Sequence, residues 1–211
     1  MEQPTQIHFN GTSGIIDCAI DWPDDNVIGW ALVLHPHPLH GGTRNNKVVT
    51  TIAKACTQHG LVAVRPNFRG VGDSAGEFDH GKAETEDMLA LIEQFTQQFP
   101  QVAQGQWVLA GFSFGTAVAA QVYSALLDAE RPLPDRVLLA GPAVHRFGTR
   151  SIQLPEATFL VHGEDDEVVA LTEVMEFARE HDLPVTVIPG STHFFHGKLL
   201  RLRDQIAQQL R

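Results

Sequence analysis

Ser113 stands between two glycines in Gly111-Phe112-Ser113-Phe114-Gly115, and its flanks give that serine a chemical use. Residues 106–110 form an apolar run of the kind that makes a buried strand, and residues 116–127 form an alanine-rich helical stretch. A chain that leaves a strand, reverses within a residue or two and starts a helix forces the serine into a strained conformation that only small neighbours tolerate. The Oγ then stands clear at the strand's end, and the first amides of the helix point at any negative charge developing there. A serine between glycines, taken in isolation, is more often a turn than a nucleophile. The strand-turn-helix setting favours a nucleophile elbow and acyl transfer through Ser113.

A serine hydroxyl is a weak nucleophile at neutral pH, so this chemistry needs a histidine to take its proton and a buried carboxylate to orient that histidine. His193, in Ser191-Thr192-His193-Phe194-Phe195, directly follows the turn at Gly190 and is preferred over His196, which starts the terminal helical stretch. Glu164, Asp165, Asp166 and Glu167 are the candidate acids, all in one loop after an apolar strand. An acyl intermediate also needs two amide donors for its oxyanion: Phe114, after the nucleophile, and a second from the loop His35-Pro36-His37-Pro38-Leu39-His40-Gly41-Gly42. Pro36 and Pro38 carry no N–H, which leaves His37 and Leu39 as the nearest donors. His35, His37 and His40 lack a neighbouring Cys or carboxylate and are separated by stiff prolines, so no metal is expected there.

These groups have to be brought together by the elements around them. From residue 28 onward, short apolar runs alternate with longer helical patterns, which is the signature of parallel strands joined by crossover helices. Strands are predicted at 29–35, 61–66, 106–112, 136–140, 157–162 and 184–189. Helices are predicted at 47–59, 84–99, 116–127, 172–181 and 197–210, and the alternating segment 14–22 suggests antiparallel strands at one edge. An open parallel sheet binds its ligand at the carboxyl ends of its strands, where every unusual cluster of this chain falls. Arg69, Gly70 and Gly72 are not followed by Gly-Lys-Ser/Thr and read as a structural turn, while Arg44, Asn45 and Asn46 read as helix-capping residues.

Taken together, the elbow, the order Ser then Asp then His, and the loop Arg65 to Ser74 resemble the α/β-hydrolase superfamily over essentially the whole length. The resemblance implies an α/β-hydrolase fold: a mostly parallel twisted sheet, helices on both faces and no lid domain. It also implies Asp166 as the acid, since the family's His-Gly-x-x-Asp spacing from His162-Gly163 lands there. Asn67 stands where many members have Asp. Aligning His35-Pro36-His37 with the family's His-Gly-x pattern favours His37 as second oxyanion donor, whereas the overlap with His40-Gly41-Gly42 favours Leu39 or His40. His35-Pro-His-Pro-Leu-His-Gly-Gly followed by Asn45-Asn46-Lys47-Val48-Val49 is similar to small, lidless bacterial hydrolases related to dienelactone hydrolases, whose nucleophile is cysteine. Residues 141–156 leave no room for a helical cap, so the site should be shallow and open.

Length and composition set the outer limits. The chain's 211 residues suit one domain, 1–211, and its net charge of −10 argues against nucleic acid or an anionic membrane as partner. A small acyl substrate fits better, with no cofactor expected, and the sequence leaves a monomer and a homodimer equally open. Cys18 and Cys56 read as buried thiols, and residues 1–6 show neither a signal peptide nor an anchor, so a cytoplasmic location is expected. The expected activity is a serine hydrolase of small esters or thioesters using Ser113, His193 and Asp166. The alternatives are a short-peptide peptidase of the same fold and a binding module that lost its chemistry.

Overall fold

The computed structural model describes residues 3–211. The apolar runs become the strands β1 (Gln6–Gly11), β2 (Gly14–Asp21), β3 (Gly29–Leu34), β4 (Leu61–Pro66), β5 (Gln106–Phe112), β6 (Arg136–Ala140), β7 (Phe159–Gly163) and β8 (Val185–Ile188). They form one sheet in the order β1-β2-β4-β3-β5-β6-β7-β8, with β2 antiparallel to both its neighbours and β4 through β8 mutually parallel. The order reverses at β3, which pairs with β4 on one side and β5 on the other. Loops leaving β3 and β5 therefore diverge and open a crevice between them.

The helices are α1 (Lys47–Gln58), α2 (Lys82–Gln98), α3 (Pro100–Ala103), α4 (Phe114–Asp128), α5 (Leu171–Glu180) and α6 (Leu199–Gln209). Because strand side chains alternate between faces, Trp30, Leu32 and Leu34 of β3 pack with Met88, Leu91 and Phe95 of α2 and Val118 of α4, while Ala31 and Val33 pack with Val49 and Ile52 of α1 and Leu202 and Ile206 of α6. The sheet thus carries α2, α4 and α5 on one face and α1 and α6 on the other. Cys18 and Cys56 are buried in these two separate layers as free thiols, and burial pushes the Cys56 thiol up to about 12. No helix among the described residues is long and apolar enough to cross a membrane.

Several predicted boundaries move, each for a local reason. The predicted edge at 14–22 is half of a hairpin whose first strand, β1, lies earlier and pairs Phe9 with Ile16. Helix α2 begins at Lys82 because the Glu84 carboxylate accepts hydrogen bonds from the Asp79 and Gly81 amides. Helix α4 begins at Phe114, since Ser113 is itself the residue that precedes it. The short helix α3 starts at Pro100, whose fixed φ suits a first helical position, and escaped the sequence reading. Strand β7 starts at Phe159 because Thr158 N–H closes a turn onto Pro155. Helix α6 starts only at Leu199 because Gly197 takes a left-handed φ of 69°.

Candidate active site

Ser113 lies at the switch point, between β5 and α4, with φ 54° and ψ −119°. A non-glycine residue in this region costs about 1–3 kcal/mol and persists only where its surroundings hold it. Those constraints are visible. Ser113 N–H donates to Ala140 O at 3.0 Å, and the Thr116 hydroxyl donates to Ser113 O at 2.6 Å while accepting from Ala143 N–H at 2.9 Å. The flanking glycines are required by space: a Cβ on Gly111 would lie 2.3 Å from Gly115 O, and one on Gly115 would lie 2.4 Å from Leu34 O.

Three loops from three parallel strands converge on this serine. His193 Nε2 lies 3.0 Å from Ser113 Oγ, and His193 Nδ1 lies 2.7 Å from Asp166 Oδ2. All three residues are buried. Burial pushes the Asp166 carboxyl up, but the bonds from His193 and from the Val168 and Val169 amides outweigh it and hold Asp166 below the ordinary carboxylate value. Asp165 faces outward and contributes its N–H to Ser191 O. His196 is exposed and its ring packs on Phe194. The His193 ring packs on Phe112 and Phe194.

Phe114 is the first residue of α4, so its N–H has no helical acceptor. Across the crevice, the Leu39 amide donates to the His37 ring at 3.2 Å, and the His40 and Gly42 amides donate to His37 O. Among the described residues the Phe114 and His37 amides have no acceptor. The loop that carries His37 is pinned by His35, fully buried: Phe68 N–H donates to its Nε2 at 2.9 Å, and its Nδ1–H donates to Pro36 O at 2.6 Å. Burial drops the His35 pKa to about 4, so this imidazole stays neutral. No three His, Cys, Asp or Glu side chains come together among the described residues in a way that could hold a metal ion.

A model of the X-Pro dipeptidyl-peptidase (S15) family matches residues 19–129. The chain belongs to the S15 family of α/β hydrolases. An uncharacterised protein of Rickettsia prowazekii is similar to this hydrolase at 34% identity over 204 residues, 92% of this chain and 83% of that one. Among solved structures, a lidless α/β serine hydrolase from Xanthomonas campestris superposes with a TM-score of 0.88 at 34% identity, covering 100% of this chain and 96% of that one. An α/β serine hydrolase homologue from Coxiella burnetii gives 0.86 at 35% identity, covering 100% and 99%.

Around the core of this S15 hydrolase, four residues have roles that the sequence reading did not assign. Glu164 and Glu167, candidates for the acid in the sequence, instead accept hydrogen bonds from the Gly190 and His193 amides at 2.9 and 3.2 Å and tie the acid loop to the histidine loop. His162, fully buried, donates from Nε2 to Val169 O at 2.9 Å and stands 3.5 Å from Asp166 Oδ2. Its position four residues before Asp166 was the available signal. Arg44, read with Asn46 as a helix cap, instead pairs through Nη1 with the buried Asp17 carboxylate at 2.7 Å. Asn46 does cap α1, accepting from Val48 N–H at 2.9 Å.

Proposed function

We propose that this hydrolase cleaves small esters or thioesters through an acyl-enzyme on Ser113. The observation that carries the reading is the continuous relay from Ser113 Oγ through His193 to Asp166, with contacts of 3.0 and 2.7 Å. His193 Nε2 accepts the hydroxyl proton as Ser113 Oγ bonds to the acyl carbon, and returns it to the leaving oxygen or sulfur as that bond breaks. A water then follows the same route, releasing the carboxylic acid and restoring Ser113. Asp166, anionic across the neutral range, holds Nδ1–H and stabilises the imidazolium. The amides of Phe114 and His37 bind the oxyanion; Leu39 is the weaker candidate, because its N–H already serves the His37 ring.

The test is turnover of 4-nitrophenyl acetate and short acyl thioesters by wild type and Ser113→Ala. Wild-type turnover that vanishes in the variant is expected; turnover retained by Ser113→Ala contradicts the reading. Family membership favours a second reading, release of X-Pro dipeptides from peptide amino termini. The matched residues 19–129 contain the elbow but stop before the 141–156 link, the acid loop and the histidine loop. An Ala-Pro-4-nitroanilide hydrolysed faster than the acetate ester would establish this second reading instead.

A further inference from the structure

Beside the oxyanion donors, four rings drawn from four separate segments meet. The His37 ring lies 4.7 Å from Phe78, 5.2 Å from Phe114 and 5.4 Å from Phe147, and Phe114 and Phe147 meet edge to face at 4.9 Å. Phe114 is buried, whereas His37, Phe78 and Phe147 keep part of their surface open. We infer that these rings form a ready-made subsite for a planar, uncharged aromatic acyl group, a reading that rests on the acyl-enzyme chemistry proposed above.

Phe78 and Phe147 pack against the main core, which contains Phe114, and two observations point beyond packing. First, it is braced by buried polar side chains outside the Ser113-His193-Asp166 relay. Fully buried Glu84 fixes the turn after Phe78 by accepting from the Asp79 and Gly81 amides at 2.8 and 2.9 Å. Gln121, 1% exposed, donates to Phe147 O at 3.2 Å and accepts from Thr149. Gln121 also stands close to the turn after Phe78, where a Cβ on Gly81 would lie 3.0 Å from its Nε2. Each ring-bearing loop thus has its own buried polar brace.

Second, the position dictates the occupant. With the substrate carbon on Ser113 Oγ and its oxygen at the Phe114 and His37 amides, the leaving group must lie within reach of His193, on the side where Phe194 is 38% exposed. The remaining substituent, the acyl chain, points toward His37, Phe78 and Phe147. Aromatic rings prefer offset or edge-on partners, as these are already arranged with one another. Burial, and then the neighbouring His40 and His80, hold the His37 pKa below the usual histidine value, so the subsite carries no charge at neutral pH.

Matched 4-nitrophenyl esters of phenylacetic and cyclohexylacetic acid test this, since they share a leaving group and nearly the same acyl size and differ in aromaticity. Wild-type kcat/KM is expected to be roughly tenfold higher for phenylacetate. Phe78→Leu and Phe147→Leu should each lower that ratio at least threefold while leaving kcat/KM for the acetate ester within twofold. A wild-type ratio near one, or variants that lower both bulky esters equally, overturns the inference. Because the acetate ester reaches Ser113 without using the rings, its turnover alongside a ratio of one defeats the subsite alone. Failure on all three esters defeats the proposed chemistry itself.

Discussion

Asp165 and Asp166 are adjacent and chemically identical, and only their surroundings separate them. Asp166 →Asn replaces an acceptor by an amide that can donate to His193 Nδ1, which would leave a proton on Nε2 facing Ser113. kcat/KM is expected to fall on the order of 10³- to 10⁴-fold. Asp165→Asn should leave kcat/KM nearly unchanged, and the measured rates of the two variants decide between them. By the same logic His193→Ala should abolish turnover, and exposed His196→Ala should alter it by a few fold at most. His193 was legible because it follows a strand-end turn. Asp166 required the family spacing, since nothing in a run of four acids says which one turns inward. The choice between His37 and Leu39 as the proposed second oxyanion donor was not legible, because it depends on which amide the His37 ring already occupies.

Elements were easiest to read where burial is two-sided. The strands β3 to β6 announce themselves as continuous apolar runs, whereas β1, half exposed and rich in polar residues, does not. The elbow's packing gives a direct test of how tightly α4 is set against β3. Gly115→Ala places a methyl 2.4 Å from a backbone carbonyl that cannot move cheaply, so urea unfolding should show a loss of at least about 1–3 kcal/mol. The β1–β2 hairpin is fastened through Asp17, which accepts from Gln6 at 2.9 Å and pairs with Arg44 at 2.7 Å. Burial raises the Asp17 carboxyl, but the bonds from Arg44 and Gln6 prevail and leave it below its ordinary value. A depressed folded-state pKa stabilises the fold above the unfolded value of about 3.9, and that contribution is lost as pH falls toward the folded value. Asp17→Asn should therefore be less stable than wild type at neutral pH, with the difference shrinking below about pH 4, as thermal melts at graded pH can show.

The lidless architecture was readable from the length of the 141–156 link, and the sheet order then places the crevice at Ser113. What the sequence hid is the clustering of His37, Phe78, Phe114 and Phe147, whose separation along the chain gives no local pattern to detect. The proposed activation of Ser113 by His193 can be read with a fluorophosphonate without knowledge of the substrate. Intact-mass measurement followed by peptide mapping should find one adduct on Ser113 in the wild type, none in Ser113→Ala, and labelling slowed by on the order of a thousandfold in His193→Ala. An adduct on another residue, or equal labelling of wild type and Ser113→Ala, would contradict it.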